Sequence, residues 1–163
     1  MLQHEPVARA ELLVRRPVAE VFEAWIDPNV TSKFWFSRGD RRLDQGPSVR
    51  WFWDPFGIHA DVNVIVLELN KRIVIEWPTP VEWTFEPRGE DATYVTITAS
   101  GFEGSDDEKV AQAIDAMGGF TAALVACKAY LEHGVLLNLI ADYEYDGAAQ
   151  GGPDAAQGGP DDA

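Results

Sequence analysis

The spacing of apolar residues changes period twice along the chain. Val7 to Val14 is a short apolar segment closed by Arg15-Arg16-Pro17, after which Val18, Val21, Phe22, Trp25 and Ile26 recur at intervals of three and four. That spacing puts one apolar stripe on a helix able to lie on a sheet, with Pro17 at its first position, where the missing N–H would have no partner anyway. Asp27-Pro28 then starts a second short helix, Asp27 as N-cap, which ends near Phe34-Trp35-Phe36. Arg38 to Pro47, basic and polar with Gly39 and Gly46, reads as a loop or extended crossover.

The period then falls to two. Val49–Trp53, Ala60–Leu69, Arg72–Trp77, Val81–Pro87 and Thr93–Ser100 are rich in Val, Ile, Thr and aromatic residues. They are separated by Asp54-Pro55-Phe56-Gly57, Asn70-Lys71, Pro78-Thr79-Pro80 and Arg88-Gly89-Glu90-Asp91. Connections this short favour an antiparallel meander, and the alternation of Val81, Trp83 and Phe85 with Glu82, Thr84 and Glu86 gives the sheet one buried and one wet face. With Val7–Val14 included, the sheet has about six strands.

A third change restores the helical period. Ser105-Asp106-Asp107-Glu108 is a capping box, and the helix it opens should run to a C-cap at Gly134, about 28 residues or roughly 42 Å. Its apolar stripe is Val110, Ala113, Ile114, Met117, Phe120, Leu124, Cys127 and Leu131, and Gly118-Gly119 in mid-helix calls for a bend or a close approach of backbone. Val135 to Ile140 is too apolar for water, so it either packs on the domain as a further turn or strand, or covers a homodimer interface. The predicted organisation is one domain over 1–146, with a core at 7–134 and an apolar extension at 135–146. An acidic tail, 147–163, contains AAQGGPD twice in succession and is expected to be disordered.

Composition adjusts this picture in three ways. Of the formal net charge of −14, residues 138–163 supply −6 and residues 1–137 supply −8, so nucleic acid is an unfavourable partner. A membrane span needs about 18 or more apolar residues in a row, which the chain lacks, and the N-terminus has no signal-peptide pattern. With a single cysteine, Cys127, on an apolar stripe, these features predict a cytoplasmic protein without a disulfide. No phosphate loop or nucleophile elbow occurs, and no cofactor or metal site is predicted.

The order of elements, with Arg16-Pro17-Val18-Ala19-Glu20-Val21-Phe22-Glu23-Ala24-Trp25-Ile26-Asp27-Pro28 and Trp35, resembles the START-like helix-grip superfamily. Within it the chain is similar to the bacterial homologues of the Hsp90 ATPase activator. Val66-Leu67-Glu68-Leu69, Arg72-Ile73-Val74, Trp77, Thr93 to Thr98 before Gly101-Phe102, Gly119-Phe120, Leu124 and Tyr130-Leu131-Glu132 also carry the likeness, which covers residues 7–134. The resemblance implies an α+β helix-grip fold: a curved antiparallel sheet around a long C-terminal helix, with two short helices after the first strand. It also implies a cavity between sheet and helix, in a superfamily that includes lipid carriers, cyclases, hormone receptors and co-chaperone domains.

Candidates for the walls are Trp25, Trp35, Phe36, Trp51, Trp53, Trp77, Trp83, Phe85, Phe120 and Leu124, which either line a pocket or simply fill the core. His59, Asp61 and Asn63 alternate and share a face of one strand. Facing the pocket, His59 and Asp61 would be ligand contacts or an acid–base pair; otherwise they face solvent. Arg38, Arg41, Arg42 and Arg50 form the main cationic concentration, either steering an anion or simply solvated. The leading expectation is therefore non-catalytic binding of a small hydrophobic or amphipathic molecule. The alternatives are stimulation of an Hsp90-type chaperone ATPase, and cyclase or hydrolase chemistry through His59 and Asp61.

Overall fold

The computed structural model describes residues 1–77 and 79–142. Seven strands form one antiparallel sheet: β1 (Ala8–Val14), β2 (Arg38–Gly39), β3 (Ser48–Trp53), β4 (Ile58–Glu68), β5 (Arg72–Trp77), β6 (Thr79–Pro87) and β7 (Thr93–Ala99). Their order across the sheet is β1-β7-β6-β5-β4-β3-β2. Among the described residues four α-helices accompany them, α1 (Val18–Ile26), α2 (Pro28–Thr31), α3 (Asp106–His133) and α4 (Leu139–Asp142), with one 3-10 turn at Asp54–Phe56. A curved sheet around a long C-terminal helix is the expected fold class. The repeated tail and residues 143–146 of the extension lie outside the described residues.

The alternation legible in the sequence carries into burial. Trp51 and Trp53, Ile73, Ile75 and Trp77, Val81, Trp83 and Phe85, and Val95 and Ile97 all turn inward, while their neighbours face out. Two details differ from expectation. The crossover before β3 contains a seventh strand, β2, too short to show a period, which pairs Arg38 with Phe52 and Gly39 with Trp51. Thr79 and Pro80 continue β6, in register with Trp77 and Glu76, where the sequence suggested a turn. The β4–β5 register shifts between Val64 and Val66, a bulge of the kind that bends a strand and increases its twist.

The helix signals hold within a residue or two. Asp27 caps α2 by accepting from the Asn29 amide at 2.9 Å, and the chain continues in turns from Ser32 to Phe34. Ser105 caps α3 in a complete capping box, and Gly134, at φ 67°, ends it in the left-handed region that glycine enters most readily. α3 is unbroken through Gly118-Gly119. It lies along β1, whose inward residues include Ala8 and Ala10, and it buries Ala113, Ala116, Gly119, Ala123 and Ala126. Small residues on both elements let the backbones approach.

The stripe expected on α3 is partly wrong. Phe120, Leu124 and Cys127 are buried, but Ile114 and Met117 are 59% and 45% exposed. Ala116, Gly119, Ala123 and Ala126 stand on the contact face where the stripe placed Ile114 and Met117, because small side chains let α3 approach β1. α3 is also long and apolar enough by composition to cross a membrane, but that inner face is committed to the sheet, as in a core helix.

One polar contact ties α3 to β1. The Glu132 carboxylate accepts from the Arg15 amide at 2.6 Å and from the Lys128 ammonium at 2.7 Å, and Lys128 also donates to the Leu13 carbonyl. Burial pushes the Glu132 carboxyl up, but Lys128 and the Arg15 amide outweigh burial and hold it below the ordinary value of 4.5. A depressed carboxylate contributes stability above its unfolded value, and that contribution is lost as pH falls through the folded one. The wild type should therefore lose stability below about pH 4.5 more steeply than Glu132→Gln, as read from urea midpoints at a series of pH values. Parallel pH profiles for the two proteins would contradict this.

Candidate functional site

Trp35 stands at the centre of the interior. It belongs to the irregular segment between α2 and β2, and its ring centroid is within 6.0 Å of Trp25, Phe36, Trp51, Trp53, Trp77, Trp83 and Phe120. Regular elements hold most of these neighbours: Trp25 on α1, Trp51 and Trp53 two apart on β3, Trp77 on β5, Trp83 on β6 and Phe120 on α3. Trp53 and Trp77 stack with centroids 5.1 Å apart and planes 4° from parallel. β4 lies between their strands, and its inward Ala60, opposite Trp51, is small enough to let rings from either side meet.

The Trp35 segment is pinned from one end. Thr31, 1% exposed, donates its hydroxyl to the Ala24 and Asp27 carbonyls at 2.5 and 3.0 Å, while the Trp35 and Phe34 amides donate back to the Thr31 carbonyl. At the other end the Ser37 amide donates to the Phe52 carbonyl.

All six indoles and the rings of Phe36, Phe85 and Phe120 are at most 5% exposed. All of them lie in the interior, two of the candidates at its margin. Phe85 sits to one side, edge-on to Phe22 at 5.2 Å, and Leu124 is buried one turn beyond Phe120 on α3. The centre of the ring cluster holds the Trp35 indole where an open cavity was expected.

The polarity of this interior is one-sided. The indole Nε1 atoms of Trp25, Trp35, Trp53, Trp77 and Trp83 are buried without a hydrogen-bond partner. The buried polar residues among the described ones are Thr31 and Thr93, and both hydroxyls donate to backbone carbonyls.

A cleft of about 150 Å³ opens beside this cluster. It is lined by the segment Ser32 to Ser37, by Trp53, Pro55 and Phe56, and by Asn138 to Ala141. α4 forms its cover. Ile140 is 5% exposed and Leu139 packs on the core, whereas Val135, Leu136 and Leu137 stay exposed. Within the described part of the apolar extension, Leu139 and Ile140 pack on the domain and Val135 to Leu137 do not. The apolar density of residues 135–140 is the signal in the sequence for this packing.

His59 and Asp61 do not join the aromatic cluster. In β4 the inward residues are Ala60 and Val62, so His59, Asp61 and Asn63 point to the opposite face. The Asp61 carboxylate accepts from Arg50 at 2.7 and 3.2 Å, and Arg50, then His59, keep its pKa below the ordinary carboxylate value. The His59 ring lies 5.9 Å from Phe52. The alternation was read correctly; the side of the sheet it faced was not legible. The arginines are largely matched by acids: Arg38 with Asp54, Arg41 with Asp40, Arg42 with Glu23 and Asp44, and Arg50 with Asp61. Cys127 is fully buried, and desolvation, then Glu132, pushes its thiol far above the reactive range. Among the described residues no three His, Cys, Asp or Glu side chains gather as metal ligands do.

Residues 15–132 match the family model described as activator of Hsp90 ATPase homolog 1-like protein. The chain belongs to this family. Among curated proteins, none matches it in sequence. Among solved structures, a Staphylococcus saprophyticus protein shares 30% identity at TM-score 0.71, over 80% of this chain and 95% of its own. The Aha1 dimer from Colwellia psychrerythraea is similar at 17% identity and TM-score 0.66, over 78% of this chain and 97% of that one. The di-domain ARO/CYC protein of the BE-7585A biosynthetic pathway matches at 17% identity and TM-score 0.63, over 77% of this chain and 46% of its own. The last two likenesses concern the fold. The activator-like fold encloses, in this member, a tryptophan-rich interior with a cleft at its edge.

Proposed function

We propose that this activator-like protein binds a small hydrophobic or amphipathic molecule non-covalently, in the aromatic interior reached through the cleft beneath α4. The observation that carries this reading is the cleft itself, which ends on Trp35, Phe36 and Trp53 and so connects the surface to the ring cluster. Concave sites with apolar walls and a few polar groups are where proteins hold such molecules. The displacement of His59 and Asp61 to the outer face leaves the interior without an acid–base pair, which favours binding over cyclase or hydrolase chemistry. Native mass spectrometry of protein purified from its source is expected to show a bound species of a few hundred daltons. A thermal-shift screen of lipids and aromatic compounds should find stabilising members of the same class. Protein of bare mass, stabilised by no compound, would end this reading.

A second reading rests on the family match alone: stimulation of an Hsp90-type chaperone ATPase. An ATPase assay with the purified chaperone, showing no increase on adding this protein, would remove it. The exposed Val135, Leu136 and Leu137 support a homodimer contact through 135–140, and light scattering on a variant with all three changed to Ser checks it.

A further inference from the structure

We infer that the outward face of α3 docks a second copy of this chain, the two helices pairing antiparallel about a two-fold axis. This surface is separate from the exposed Val135, Leu136 and Leu137, and it does not depend on ligand binding. α3 turns its alanines and Phe120 to the sheet, yet its opposite side is apolar as well. Ala111, Ile114, Gly118, Thr121 and Val125 follow at alternating steps of three and four, which keeps them in one row along the helix. In and beside that row Ile114, Met117 and Val125 are 59%, 45% and 39% exposed. Asp115 alone is charged between Lys109 and Lys128, whereas the solvent side of a helix ordinarily carries charged residues. Glycine in mid-helix weakens the helix. Gly119 is buried on the sheet side, but Gly118 lies in the outward row, where a missing side chain lets another backbone come close.

The charges at the two ends of the row determine what covers it. Its beginning is acidic, with Asp106, Asp107 and Glu108 in the first turn. Its far end is cationic on the outside. Lys128 neutralises Glu132 at 2.7 Å, His133 is exposed, and Arg15 stands beside this last turn because its amide donates to Glu132 at 2.6 Å. Among the described residues neither Asp107 nor Arg15 has an ion-pair partner within the protomer. Parallel pairing would set two acidic turns against each other. Antiparallel pairing sets the acidic turn of each copy against the Arg15 end of the other, twice by symmetry, and opposes the helix dipoles. The row is self-complementary in that orientation: Ile114 of one copy meets Val125 of the partner subunit, and Gly118 meets Thr121 of the partner subunit. From Ala111 to Val125 it is about 21 Å long. Two helices paired over that length bury less than the roughly 800 Å² per partner of a standard interface, so the dimer is weak and concentration-dependent.

Sedimentation velocity of the full chain over a range of concentrations is expected to show a reversible monomer–dimer equilibrium. Val125→Arg places a charge in the row of each copy and should weaken that equilibrium by at least about tenfold, with an unchanged thermal melt because Val125 is exposed. Asp107→Arg and Arg15→Asp should each weaken it by about tenfold, since each turns two attractions into repulsions. Combined in one chain, the two reversals should restore dimerisation to within about threefold of the wild type, which happens only if these residues face each other across the interface. This double reversal alters no apolar residue and so decides the matter even if Val125→Arg disturbs the fold. A wild type that stays monomeric at every concentration, or a double reversal that loses as much as the two single ones combined, would overturn the inference. So would a dimer that survives Val125→Arg and dissociates when Val135, Leu136 and Leu137 are changed to Ser, which would place the contact at 135–140. The converse pattern supports the α3 face and removes that other contact.

Discussion

Replacing Trp35 by alanine is expected to cost about 3–5 kcal/mol of stability, as large-to-small changes of buried aromatic residues do, and to lower the urea midpoint without changing the slope. Seven ring partners surround this indole, so among the described residues no other aromatic side chain loses as many ring neighbours on truncation. Most of the rings left behind belong to helices and strands and cannot collapse fully into the space. An apolar cavity created this way accepts a ligand of the deleted shape. Added indole should therefore stabilise Trp35→Ala more than the wild type, by about 2.7 kcal/mol at a hundredfold excess over its Kd. A loss below about 1 kcal/mol on truncation would show that Trp35 is not the centre of the core. Equal stabilisation of variant and wild type by indole would show that the cavity does not form.

Phe120→Ala should have a comparable effect, about 3–5 kcal/mol. Phe120 is the ring by which α3 meets the sheet's tryptophans: it lies 5.9 Å from Trp35, 6.0 Å from Trp83 and 6.4 Å from Trp77. Because Phe120 and Trp35 touch, the double variant should lose less than the two single losses combined. A coupling of about 0.5–3 kcal/mol is the range found for residues in contact. Strict additivity in the double-mutant cycle would mean that helix and loop contribute separately to the core.

Local signals along the chain were legible where the physics is local. The Ser105–Glu108 capping box, Gly134 at the end of α3 and Asp27 at the start of α2 each satisfy backbone groups within a few residues, so residue type and spacing were enough to find them. Strand alternation was likewise readable in Val81, Trp83 and Phe85. β2 was not, since two residues show no period and its pairing with β3 is a tertiary fact. The exposure of Ile114 and Met117 was also hidden, because which side of a helix is buried depends on the surface it meets, here the small side chains of β1.

The candidate site divides in the same way. Composition and period two placed the tryptophans on one face, and the family likeness in Arg16 to Pro28 fixed the fold. The same alternation put His59 and Asp61 together, yet alternation names two faces without saying which is inside, and the register of β4 with β3 sent this pair outward. The sequence by itself determined the elements, their caps and an interior made of indoles. Only the tertiary structure decided that Trp35 occupies the middle of that interior, that five indole N–H groups lack partners there, and that Ile140 returns to cover the cleft. Each of these depends on residues far apart in the chain meeting in space, which spacing along one segment does not encode.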